Sequence, residues 1–206
     1  MIRNKDVLDF GSGYGGFLSL AKQVAKSVCG IEIEQAVQEV YDRLGIRLYR
    51  DICEVSEKVD VISCFHCLEH LDDPRTTLRQ FAKKLGKNGK IIIEVPNAND
   101  ALLSIYKSEA FSHFTYWSAH LYLFSASTLA LLARQAGLKV EFIKYIQRYP
   151  LSNHLYWLSH ARPAGDKVWG EFLDNALLNS VYGDCLASIG VSDTLLGLFS
   201  LQDDDS

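Results

Sequence analysis

The 206-residue chain carries 48% hydrophobic residues and 21 Lys+Arg against 25 Asp+Glu, a net charge of -4. That is enough apolar material for a sizeable core, with one domain as the default, and it lacks the basic excess that marks a nucleic-acid surface. No apolar run reaches membrane-spanning length, MIRNKD is too charged for a signal peptide, and five cysteines without a framework spacing fit reduced thiols in a cytoplasm.

Val7–Phe10 reads as a short buried strand, Gly11, Gly13, Gly15 and Gly16 as a tight turn, and Phe17–Ala21 as the start of a helix. Strand, glycine loop and helix open a doubly wound α/β sheet, a Rossmann-like and mostly parallel one, whose ligands sit at the carboxyl ends of the strands. Gly11-x-Gly13-x-x-Gly16 with Glu32 about twenty residues on also satisfies a dinucleotide fingerprint. Asp9 argues the other way. A carboxylate two residues before the first glycine would repel a pyrophosphate, whereas it suits the ammonium of S-adenosylmethionine. The run Asp9-Phe-Gly-Ser-Gly-Tyr-Gly15 resembles the first motif of the class I S-adenosylmethionine-dependent methyltransferases. That resemblance implies a seven-stranded sheet with helices on both faces. It also implies cofactor contacts from Asp9, Phe10, Gly11, Ser12, Gly13 and Gly15. Members of the family usually carry helices before the first strand, and here six residues precede it. The cofactor site is therefore expected to be open and its binding weak, unless the tail helices, a homodimer contact or a partner chain covers it.

Ser27–Ile33 is a second strand with Glu32 at its carboxyl end, where an acid can accept both ribose hydroxyls. The resemblance adds Ile33. Residues 35–44 form a helix ended by Gly45, and Ile46–Tyr49 a third strand. Asp51 and Ile52 follow; in the family such a pair meets the adenine, while a solvated loop acid is the plainer reading of Asp51.

Val59–Phe65 is a near-continuous apolar run, as a covered parallel strand requires, and the resemblance brings Phe65 to the cofactor. Cys64, His66, Cys67 and His70 have a suggestive metal spacing, but no second paired cluster exists elsewhere, and no metal is expected. Leu68-Glu-His-Leu-Asp-Asp-Pro74 resembles a Leu-Glu-His-x-x-Asp-Pro segment after the fourth strand of small-molecule methyltransferases, including the ubiquinone-biosynthesis O-methyltransferases. Arg75–Leu85 is an amphipathic helix closed by Gly86 and a Lys87-Asn88-Gly89 turn. Lys90–Val95 is a fifth strand, and Asn97 lands beside the expected acceptor pocket.

Ala110–Phe124 is dense in aromatics. It reads as a packed lid, or as an acceptor pocket walled by rings with His120 inside. His120-Leu-Tyr-Leu-Phe-Ser resembles a run in the same subgroup, which implies substrate contacts from Asn97, His120 and Tyr122. Ser127–Gln135 is a serine-capped helix, and Leu138–Ile146 a sixth strand. Asn153–Leu158 is the expected seventh strand, Lys167–Ala187 and Asp193–Phe199 are expected helices, and Gln202–Ser206 is an acidic end. The Gln147-Arg-Tyr, Asn153-His and Ser192-Asp-Thr patches resemble methyltransferases of polysaccharide biosynthesis.

The resemblance covers roughly residues 5–147. Residues 1–150 are expected to form the S-adenosylmethionine-binding core, with 151–206 a C-terminal extension of the same domain. The expected activity is methyl transfer to a small molecule or a sugar, at oxygen, in the cytoplasm, with neither nucleic acid nor membrane as partner. An oxygen acceptor needs a base, and His66, His70 and His120 are the candidates, His120 foremost. The alternatives are an NAD-dependent oxidoreductase and a non-catalytic subunit built on the methyltransferase fold.

Overall fold

Val7 and Leu8 are enclosed on both faces of strand β1 (Asp6–Phe10), at the centre of a seven-stranded sheet in the computed structural model, which describes residues 1–116 and 119–202. The other strands are β2 (Ser27–Ile31), β3 (Arg47–Tyr49), β4 (Val59–Phe65), β5 (Leu85–Pro96), β6 (Leu138–Ile146) and β7 (Thr194–Leu201). Their order is β3-β2-β1-β4-β5-β7-β6. The first five strands pair in parallel, and β7 runs antiparallel between β5 and β6. The chain reverses its direction across the sheet between β1 and β4, so a crevice for ligands opens at their carboxyl ends.

Helices α1 (Gly16–Ala21), α2 (Gln38–Leu44), α3 (Pro74–Lys84), α4 (Ala101–Ser104), α5 (Glu109–Thr115) and α6 (Ala126–Gln135) alternate with the strands. The main core joins Leu8, Ile62, Ile91, Ile93, Leu195 and Phe199 of the sheet to Leu78 and Phe81 of α3 and Leu129 and Ala133 of α6. Asp73 caps α3 by accepting the Thr76 N–H at 3.0 Å, with Pro74 at the first helical position. The cap of α6 is Ser125 rather than Ser127. It forms a reciprocal pair with Thr128, whose hydroxyl accepts the Ser125 N–H at 2.9 Å.

Beyond β6 the sequence expectation is corrected. Asn153–Leu158 lies in α7 (Leu151–His160), a helix that buries Asn153, His154, Tyr156 and Trp157. Helices α8 (Gly165–Val168), α9 (Gly170–Leu173) and α10 (Ala176–Ser188) follow, and the last strand is β7, which takes up all but the first residue of the expected helix Asp193–Phe199 and runs on to Leu201. β7 lies between two other strands and is covered on both faces, so its sequence TLLGLFSL has no alternation to separate strand from helix. The Lys87-Asn88-Gly89 turn is also absent as a break, since those residues are carried within β5. Of the acidic end, residues 203–206 lie outside the described residues. Among the described residues no helix is long and apolar enough to cross a membrane.

The sheet brings distant residues to one edge. Pro96 of β5 and Ile146 of β6 both stand opposite Thr194, where β7 begins. Asn97, Gln147-Arg148 and Asp193 therefore gather at the edge where β1 and β4 end.

Candidate cofactor and acceptor site

The loop after β1 folds over the end of β2. The Gly11 and Ser12 N–H groups both donate to the Ile31 carbonyl, at 2.9 and 3.0 Å. Gly11, Gly13 and Gly15 have φ of 71°, 49° and 72°, a region that costs a residue with a Cβ about 1 kcal/mol or more. At Gly11 space adds to the requirement, because a Cβ there would stand 2.4 Å from Cys67 Sγ. Gly13 differs in facing open space. Its N–H donates to Glu32 Oε2 at 2.9 Å, while Glu32 Oε1 accepts the Glu34 N–H at 3.0 Å. Arg50, which sequence reasoning missed, fixes this segment from outside: Nη1 donates to the carbonyls of Glu32 and Glu34, and Nη2 to Gln38 Oε1.

Asp9 is 3% exposed and its Oδ1 accepts the Ser63 hydroxyl at 2.6 Å. Burial pushes its carboxyl up to about 7, against the opposing pull of that hydrogen bond. Ser12 is engaged inward, its Oγ accepting the Tyr41 hydroxyl at 2.6 Å, so the backbone is what it offers to a ligand. Phe10 packs edge-on against Phe81 and Phe65 edge-on against Phe17. Asp51 is exposed, and hydrogen bonding from Cys53 holds its carboxyl below the usual range. Ile52 departs from the expectation of a face for adenine, since it is enclosed in the core with Ile31 and Val55. Ile33, 80% exposed, is the apolar side chain this end of the sheet presents.

A cavity of about 720 Å³ opens at the same edge, with His66, Asn97, Asp100, His120, Arg148 and Trp157 among its lining residues. Phe111 and Phe114 of α5 meet Trp157 of α7 at 5.2 Å each and form its aromatic wall. Of the aromatic stretch expected there, Trp117 and Ser118 lie outside the described residues. His120 Nδ1 bonds the Thr115 carbonyl at 2.8 Å, which makes Nδ1 the protonated nitrogen and leaves a lone pair on Nε2. The His70 ring lies 5.1 Å from that of His120, with His70 Nδ1 against the Ala119 carbonyl.

His66 is held differently. Its ring nitrogens face Glu69 at 3.5 Å and Glu94 at 2.9 Å. Burial pulls the imidazole down, but the facing carboxylates of Glu69 and Glu94 outweigh it and raise it to about 9. A ring so raised keeps its proton at neutral pH, which favours His70 and His120 over His66 among the three histidines expected as the base. Glu69 is 1% exposed, and among the described residues neither of its oxygens makes a hydrogen bond; the His66 and His70 rings lie 3.5 and 3.9 Å from its Oε1. Cys64, His66, Cys67 and His70 are not drawn into one donor set. Among the described residues the three-donor group is Glu69, His70 and His120, whose atoms lie within 4.8 Å of one another.

Asn97 lines the cavity, yet its amide is occupied by the chain: Nδ2 donates to the Gly190 and Ser192 carbonyls and Oδ1 accepts the Asn99 N–H. Tyr122 donates its hydroxyl to the Asp72 carbonyl and stacks on Phe124. It is not among the residues that line this cavity.

The family model described as a methyltransferase domain matches residues 2–142. The chain belongs to that methyltransferase family. It is similar to the ubiquinone biosynthesis O-methyltransferase of Pseudomonas entomophila, 31% identical over 175 residues that cover 77% of this chain and 75% of that protein. The enzyme of the same name from Hydrogenovibrio crunogenus is 28% identical over 191 residues, 79% of this chain and 78% of that protein. Among solved structures, an S-adenosylmethionine-dependent methyltransferase from Archaeoglobus fulgidus has the same fold at a TM-score of 0.64 and 17% identity, over 96% of this chain and 86% of that one.

S-adenosylmethionine is thus the cofactor of this methyltransferase, in place of the NAD alternative. The chemistry of its donors fits. A buried carboxylate without a cation (Asp9), a glycine with open space over it (Gly13) and an acid turned toward that glycine (Glu32) stand within one loop and the strand beside it. Sequence reasoning missed Asp100, Arg148, His154 and Asp193. Three of the four fall in patches it noted or abut them: Gln147-Arg148-Tyr149, Asn153-His154 and Ser192-Asp193-Thr194, which the fold brings together around Asp193. That carboxylate accepts the Arg148 and Tyr149 N–H groups at 2.9–3.1 Å and Gln147 Nε2 at 2.8 Å. Burial lowers His154 to about 4, so it is neutral, with Nδ1 on the Tyr182 hydroxyl at 2.7 Å.

Proposed function

We propose that this methyltransferase acts on a hydroxyl oxygen of a small molecule or a sugar, in the cytoplasm, with the acceptor seated in the 720 Å³ cavity. The observation that carries the reading is His120, which lines the cavity with its Nδ1 committed to Thr115 and its Nε2 lone pair left to accept a proton. The volume lies in the range of small-molecule sites, and the lining combines an aromatic wall with a few convergent polar groups.

When bound, S-adenosylmethionine supplies an electrophilic methyl group. The chain does the rest. Asp9 would receive the cofactor's ammonium and Glu32 its ribose hydroxyls, and Ile33 and Asp51 would hold its adenine. The Phe111–Phe114–Trp157 wall orients the acceptor and keeps water from it. His120 takes the hydroxyl proton as the oxygen attacks, an effect of typically 10²–10⁴-fold, and His70 buttresses its ring. The similarity to O-methyltransferases supports oxygen as the acceptor atom.

The test is transfer of tritiated methyl from S-adenosylmethionine to a panel of phenols, monosaccharides and amines. Label in a phenol or sugar as an alkali-stable ether supports the reading. Label confined to amines contradicts it.

A further inference from the structure

The cavity wall carries an arrangement of charge that methyl transfer by itself does not require. Arg148 Nη1 lies against His66 Nε2. A guanidinium and an imidazole thus sit side by side on the cavity wall. Glu94 Oε1 faces both, 3.2 Å from Arg148 Nη1 and 2.9 Å from His66 Nε2. Lys167 of α8 lines the same cavity and has no ion-pair or hydrogen-bond partner from its side chain among the described residues.

Opposing charges are also present, and most are already engaged. Asp193 accepts three N–H donors from residues 147–149. Asp100 accepts the Leu102 N–H at 2.7 Å and is pushed up to about 7, foremost by burial. Glu69 faces His66 at 3.5 Å, and Asp166, an exposed acid on α8, lines the cavity beside Lys167. Arg148 is therefore held in place at the cavity wall: its main chain is pinned by Asp193, and its Nη1 lies against Glu94. A guanidinium so placed matches the planar, two-oxygen geometry of an oxyacid, which a lysine at the same point would not.

We propose that the methyl acceptor is an organic anion, a hydroxylated small molecule bearing a carboxylate or phosphate, and that Arg148 is the residue that selects it, assisted by Lys167. Asp193 is a positioning residue that acts through Arg148. The inference rests on the acceptor cavity of the proposed function. It goes further by naming the charge of the acceptor and the side chain that reads it.

The test uses the full chain saturated with S-adenosylhomocysteine and measures binding of matched probes by calorimetry. The pairs are 3,4-dihydroxybenzoate against catechol, methyl β-D-glucuronide against methyl β-D-glucoside, and glucose 1-phosphate against glucose. At least one anion is expected to bind ten times or more tightly than its neutral counterpart, and the pair that discriminates identifies the source of the anionic group. Arg148→Ala is expected to abolish that preference and Arg148→Lys to restore part of it. In both variants S-adenosylhomocysteine affinity and melting temperature should stay at the wild-type values. Equal binding within every pair, or a preference that survives Arg148→Ala, overturns the proposal. Binding of S-adenosylhomocysteine with none of the anions overturns it too, while leaving the methyltransferase reading intact. Failure of S-adenosylhomocysteine itself to bind counts against that reading instead.

Discussion

The Asp9 carboxylate accepts the Ser63 hydroxyl at 2.6 Å, from one central strand to the next, with both side chains shut away from water. One hydroxyl is little compensation for a buried charge, and burial raises the carboxyl to about 7. The folded protein therefore binds a proton there that the unfolded chain has released above pH ~4. The stability gained from the neutral form is complete below about pH 4 and is lost as pH rises through 7. Asp9→Asn keeps an acceptor for Ser63 and carries no charge. Its ligand-free form is expected to be more stable than wild type at pH 8, by up to about 4 kcal/mol, with the difference vanishing near pH 4. Denaturant unfolding across that range checks it; a pH-independent difference would contradict the account.

His66 titrates in the opposite sense. Its imidazole is raised to about 9 because Glu69 and Glu94 outweigh the effect of burial. Its stabilisation is complete below about pH 6.5 and is lost as pH rises through 9. NMR titration is expected to find its ring protonated at pH 7 and to find the midpoint lowered in Glu69→Gln. His66→Ala leaves Glu69 buried without its nearest counter-charge and is expected to destabilise by about 3–5 kcal/mol. A midpoint near 6.5 in the wild type would remove the basis for treating His66 as a fixed cation.

His120 offers Nε2 because Thr115 holds the other nitrogen. His120→Gln and His120→Ala are expected to lower kcat by about 10²–10⁴-fold, with S-adenosylhomocysteine affinity and melting temperature unchanged. Full turnover in both variants, on whichever acceptor takes the label, would leave alignment alone as the source of catalysis.

The parallel half of the sheet was legible because each strand ends on a chemical signal. Phe10 runs into Gly11, Ile31 into Glu32, and Phe65 into a histidine-bearing turn. The antiparallel half was not. Thr194–Leu201 is covered on both faces by its neighbours, and Leu151–His160 is a helix whose polar residues, Ser152, Asn153 and His154, are buried. Their hydroxyl, amide and imidazole are matched by Asp174, Gly165 and Tyr182, partners that only the folded chain supplies. Asp9, Gly13 and Glu32 could be placed because their geometry is set within one strand, loop and strand. Arg148 and Asp193 are 45 residues apart and meet only because β6 and β7 pair in antiparallel register. No local pattern records that meeting, so the short patches around them could be noticed but not joined.

On the proposed reading the glycine loop and Glu32 hold S-adenosylmethionine rather than a dinucleotide. Calorimetry of the purified chain against S-adenosylhomocysteine and NAD in parallel tests it most directly, with Glu32→Ala as the control. Glu32 already orders Gly13 through a 2.9 Å hydrogen bond, and the charge-assisted bonds its carboxylate would make to ribose are worth about 1.5–3 kcal/mol each. One S-adenosylhomocysteine is expected to bind per chain, with affinity lower by a factor of about ten or more in Glu32→Ala and no saturable heat with NAD. Saturable NAD binding without measurable S-adenosylhomocysteine binding would contradict it.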